Sequence, residues 1–150
     1  MTAIIGTCWA ADWDGANLVS EKSCKICHGK AKSGDQYGVW QKGPHAGAFE
    51  TLKSDAAKAV AQKAGVEDAT TSGKCLKCHS TAYGFTEERV TQVISPEEGV
   101  ACQTCHGPAK AYKSKHGRDV AAAKASLGMI EPNAEVCVKC HNADNPTSDG

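Results

Sequence analysis

CQTCH at 102–106 is one of four copies of a single pattern: CKICH stands at 24–28, CLKCH at 75–79 and CVKCH at 137–141. Eight of the nine cysteines fall in these pairs, and a histidine follows each pair at once. C-x-x-C-H is the attachment signature of c-type haem. Two thiols add across the two vinyl groups of the porphyrin, and two intervening residues on a short helical turn set them the right distance apart. The next residue then aims its imidazole at the iron from the same side. A redox dithiol needs no histidine and comes once per domain. Zinc ribbons would use the same cysteine pairs but give no reason for a histidine after every second cysteine. A disulfide across two residues closes too small a loop to staple anything. The pattern assigns Cys24, Cys27, Cys75, Cys78, Cys102, Cys105, Cys137 and Cys140 to the attachment of four c-type haems, and His28, His79, His106 and His141 to their irons.

Composition agrees. The chain has 150 residues, only 5% of them aromatic, so large side chains for a core are scarce. A chain this poor in core material needs a staple or a bound group. Four haems leave roughly 37 residues each, too few for separate protein shells. The haems must pack on one another, which is also the condition for fast electron hopping. The expected fold is mainly α, with helices and loops wrapped around four close-packed haems. Seventeen basic residues balance seventeen acidic ones, which argues against nucleic acid as a partner. No apolar run is long enough to span a membrane.

Four haems offer eight axial positions, and the sequence has six histidines. His45 and His116 are the two outside the motifs. His45 opens an apolar helical pattern through Phe49, Leu52, Ala56, Ala59, Val60 and Lys63, ended by Gly65. His116 follows GPAKAYKSKH, where Gly107-Pro108 turns the chain away from the third motif, so a neighbouring haem is its easier target. Two positions remain for methionine, lysine, water or another protein. Met129 in SLGMIEPN is the one internal methionine, a distal ligand or a side chain packed on a porphyrin face.

The order and surroundings of the motifs resemble the cytochrome c-554 family of tetrahaem cytochromes. The resemblance rests on VWQKGPHAGAFETL after the first motif, CLKCHSTAYGF at the second, and GVACQTCHGPA with a later histidine at the third. It spans roughly residues 20–141. It implies that His45 reaches the haem of the third motif and His116 that of the first, and that the second haem has an open face. Relatives supply a distal histidine to the fourth haem from an extension after the last motif. Here NADNPTSDG follows, which leaves Met129 or an open position for that haem.

Residues 118–128, RDVAAAKASLG, suit a helix stopped by Gly128, and Asn133 suits the cap of the helix leading into the fourth motif. EERVTQVISPEEG, 87–99, suggests one short β-ribbon. Residues 1–11 read as a signal-peptide remnant and 12–150 as one domain. That places the protein in the periplasm or outside the cell, with membrane association through the N-terminus an option. The function expected is electron transfer between redox partner proteins, without catalysis of its own. Two alternatives stand: a reductase or sensor of nitric oxide or hydroxylamine at a five-coordinate haem, and a subunit of a larger haem wire or reductase complex.

Overall fold

The computed structural model describes residues 17–83 and 93–145. Among them are eight short α-helices and no strand: α1 (Lys22–His28), α2 (Gln36–Lys42), α3 (Ala48–Thr51), α4 (Asp55–Lys63), α5 (Gly73–His79), α6 (Cys102–His106), α7 (Val120–Ser126) and α8 (Ala134–Cys137). The expected signal remnant lies outside the described residues. So does most of the expected ribbon, and its described end is a 3-10 turn at Pro96–Glu98. The fold is mainly α, as the sequence leads one to expect.

Polar caps start most helices. Asp35, Ser54, Ser72, Asp119 and Asn133 each accept a backbone N–H of the first turn of the helix that follows. Ser54 corrects one sequence expectation. The apolar pattern from His45 to Ala64 is two helices, because the Ser54 hydroxyl donates to the Thr51 carbonyl at 2.7 Å while accepting from Ala57 N at 3.1 Å. That ends α3 and caps α4. Gly65 closes α4 with φ of +65°, and Gly128 follows α7 with φ of +76°, both as expected.

Among the described residues the apolar interior is divided into three small clusters. Leu18, Ala82 and Ile94 form one; Val19, Ala109, Tyr112 and Ala123, backed by Leu127 and Met129, form the second. Phe49, Leu52, Ala61 and Ala69 form the third against Cys75 and Leu76. Ile94 and Gln103 are the two largest side chains wholly withdrawn from solvent. Apolar side chains of α4 that no cluster covers, Ala56, Ala57 and Val60, line a cavity instead.

The entry to the third motif joins these parts. Gly99 carbonyl accepts from Thr81 N at 2.8 Å, Val100 N donates to the His45 carbonyl at 3.0 Å, and the Trp40 indole donates to the Val100 carbonyl at 2.9 Å. Gly99 has φ of +64° and ψ of −145°, a region only glycine occupies without strain. A Cβ there would lie 2.7 Å from the carbonyl oxygens of both His45 and Ala46. Gly99→Ala should therefore cost about 3 kcal/mol in thermal unfolding and disturb the placement of His45. An unchanged melting temperature would refute this account of the segment.

Candidate haem centre

The first three motifs each occupy a helix whose last residue is the histidine. The fourth leaves α8 at Cys137 and completes its turn through His141 N, which donates to the Cys137 carbonyl at 2.9 Å. A helical turn places both cysteines and the histidine of a motif on one side, as attachment requires.

Hydrogen bonds orient four of the six imidazoles. His79 Nδ1 meets the Ala48 carbonyl at 2.7 Å, His106 Nδ1 the Ile130 carbonyl at 3.2 Å, His116 Nδ1 the Tyr112 carbonyl at 3.0 Å, and His28 Nδ1 the Gln36 amide oxygen at 3.3 Å. These oxygens only accept, so Nδ1 carries the proton and Nε2 presents its lone pair. This is the arrangement of a metal-bound histidine.

His28 and His116 then point those lone pairs at each other. Their Nε2 atoms are 3.4 Å apart, the ring planes lie within 12°, and the centroids are 5.7 Å apart, so the nitrogen ends face. Two lone pairs in that relation repel unless an electrophile lies between them. An imidazole nitrogen sits about 2 Å from a first-row metal ion, so two opposite axial ligands would stand about 4 Å apart. The observed gap is close to that.

The His45 ring meets His141 of the fourth motif, centroids 6.0 Å apart at 61°. The family pattern pairs His45 with the third motif, and the His45 carbonyl accepts from Val100 N at the entry to that motif. Met129 lies beside the first and third motifs. It packs on the cluster of Val19, Tyr112 and Ala123 and lines a cavity of about 330 Å³ with Cys24, His28, Cys102, His106 and His116. That is the position of a side chain packed against the groups of the first and third motifs.

The motifs associate in a fixed order. Cys24 and Cys102 line one cavity, and the interaction of their thiols raises the pKa of the first and lowers the second to about 7. Burial and then the thiols of Cys137 and Cys102 push Cys105 up. Burial and the adjoining Cys78 push Cys140 up to about 12. The first motif therefore adjoins the third, and the second adjoins the fourth. Among the described residues no three His, Cys, Asp or Glu side chains converge to hold a single metal ion, so the thiols are not gathered as in a zinc ribbon.

The second motif borders the other cavity, about 420 Å³, lined by Cys75, Cys78, His79 and Cys140, by Ala56, Ala57 and Val60 of α4, and by Lys74, Lys77 and Lys139. No histidine besides His79, and no methionine, lines it.

Two features escape a sequence reading. Gln103, between the cysteines of the third motif, is 1% exposed; its amide accepts from Val19 N at 3.1 Å and Ala109 N at 2.9 Å and donates to the Val19 carbonyl. It ties the segment before the first motif to the third. Glu21 and Glu98 meet at the same junction and carry no motif signal.

A histidine pair with opposed nitrogens, a second pair in ring contact, adjoining thiol pairs on single helical turns, and an interior left open around them define a c-type cytochrome with more than one covalently bound haem. The chain belongs to the family of cytochrome c554 and c-prime, whose profile matches residues 23–107. Cytochrome c-554 of Nitrosomonas europaea is 30% identical over 145 residues, a stretch covering 92% of this chain and 57% of the relative. The chain thus spans a little over half of that relative's length. No solved structure matches it. The protein is a multihaem c-type cytochrome, and no helix among the described residues is long and apolar enough to cross a membrane.

Proposed function

We propose that the chain holds four haems, one per motif, and carries electrons along them in the order first, third, fourth, second, between redox partner proteins outside the cytoplasm. The observation that carries this is that Cys24, Cys27 and His28 share one cavity with Cys102 and His106, and that Cys75, Cys78 and His79 share the other with Cys140. Attached haems there are held within hopping distance, and each when bound supplies one-electron exchange at its iron. The protein holds the imidazoles in their metal-binding tautomer, keeps the motif pairs adjacent and presents Lys74, Lys77 and Lys139 at the second cavity, where an acidic partner could dock. His28 with His116 would hold the iron of the first haem, and His141 with His45 that of the fourth.

A second reading rests on the second cavity. His79 is the one histidine among the described residues lining it, so a haem there would have an open face for a small molecule such as nitric oxide wherever Lys74, Lys77 and Lys139 stay in solvent. Reduced protein exposed to carbon monoxide decides between the two readings. A spectral shift abolished by Cys75→Ala/Cys78→Ala supports an open second haem; no shift makes the protein a carrier only. Haem content by pyridine haemochrome tests the count: four per chain are expected, and three or fewer in fully matured protein would refute the proposal.

A further inference from the structure

Glu21 is 5% exposed, in the turn before α1 and three residues ahead of Cys24. Glu98 ends the 3-10 turn that leads into the third motif. Their carboxylates are joined by one hydroxyl: Ser20 Oγ lies 3.0 Å from Glu21 Oε2 and 3.2 Å from Glu98 Oε1. Glu98 Oε2 also accepts from Glu21 N at 3.3 Å, and Tyr37 donates to Glu21 Oε1 at 3.4 Å. A serine hydroxyl has one proton and can donate to only one carboxylate at a time. The cluster is thus one proton short: a proton on Glu98 would let it donate while Ser20 and Tyr37 serve Glu21.

The electrostatics agree with this geometry. Burial and then the hydrogen bond with Glu21 push Glu98 up to about 7. Burial works against ionisation of Glu21 too, but the hydrogen bonds from Glu98 and Ser20 outweigh it and hold Glu21 below the usual carboxylate range. The other titratable or charged groups facing the pair are Tyr37 from α2, Lys22 and Cys24 from α1, and Cys102 from α6. Burial and the Glu21 charge raise Tyr37, so it stays a neutral donor. Haem attachment turns Cys24 and Cys102 into thioethers, which do not titrate. Glu98 is then the group of the cluster that exchanges a proton near neutrality.

We propose that Glu21 and Glu98 form a proton-binding site coupled to the haems of the first and third motifs, so that electron uptake there is accompanied by proton uptake. Glu98 takes one proton from solvent when one electron from the donor reduces an adjacent ferric iron to ferrous, and returns it when the electron leaves. One electron and one proton enter together, so the local charge does not change. The pair bridges the two segments that carry the first and third motifs, and Tyr37 reaches from it into their shared cavity. A charge change in that cavity is therefore felt through partly buried protein, where it is screened less than at the surface. The inference rests on the electron-carrier reading.

Midpoint potentials of the holo-cytochrome measured from pH 5.5 to 9, against Glu98→Gln, test it. Below the pKa of Glu98 in the oxidised protein the proton is present in both redox states and potentials are flat. Above it, the reduced state binds a proton that the oxidised state lacks, so at least one wave falls as pH rises. A tenfold gain in proton affinity on reduction appears as a total fall of about 59 mV for a one-electron couple. Glu98→Gln, a neutral isostere, should flatten that wave while leaving four haems attached. The reduced-minus-oxidised infrared spectrum of the wild type should gain a protonated-carboxyl band that shifts in deuterium oxide and is missing in Glu98→Gln. A pH-dependent wave that survives Glu98→Gln would assign the proton to haem propionates and overturn the proposal. So would waves indifferent to pH with no carboxyl band. Absence of any reduction wave would instead refute the carrier reading.

Discussion

Chain in which every motif cysteine is replaced by serine is expected to show no cooperative thermal unfolding, to bind hydrophobic dyes, and to lose most of its helical circular dichroism. The expected loss is the whole folding free energy. The three apolar clusters among the described residues are small, with alanine at five of eleven buried positions, and do not merge, and helices of four to nine residues cannot stand without packing. The uncovered side chains of α4 and the 330 and 420 Å³ cavities lie where attached porphyrins would supply the missing interior. A sharp transition in the haem-free chain would show that the polypeptide alone makes the core.

The second large effect is at the axial pairs. His116→Ala should convert the first haem from six-coordinate low-spin to five-coordinate, adding one carbon monoxide site per chain beyond the wild type. Imidazole added to His116→Gly should reverse it. The substitution removes one of two opposed nitrogens 3.4 Å apart, and no other described histidine faces His28. His45→Ala should open a second site, and the partner distinguishes the family pattern from the geometry seen here. If the new site vanishes when Cys137 and Cys140 are also replaced, His45 belongs to the fourth haem, as its ring contact with His141 indicates. If it vanishes with Cys102 and Cys105 instead, the family pattern holds.

What the sequence made legible was whatever is encoded locally. A motif of five consecutive residues is one helical turn, so its chemistry reads directly from spacing. Asn133 and Gly128 likewise mark helix ends through their own backbone preferences. The ring contact of His45 with His141 was not legible, because it depends on how segments nearly a hundred residues apart are arranged. Met129 was ambiguous for the same reason: its packing on Tyr112 and Leu127 is tertiary. Ser54 was hidden inside an apolar period that continues through it, although its hydroxyl caps the next helix. Gln103 looks like an exposed spacer and is buried, while Glu21 and Glu98 look like solvated charges. Polar residues in a sequence carry no mark of burial.

The interleaving of the motifs bears on how the molecule is made. The first motif adjoins the third and the second the fourth, and the imidazole opposite His28 lies 88 residues farther along the chain. A nascent polypeptide that has emerged as far as its second motif owns two attachment sites but neither of their neighbours. Its first haem has only one protein ligand until His116 arrives. Closing so long a loop is slow compared with local helix formation. Maturation must therefore act on an open chain, and the last segments to appear lock the first ones in place.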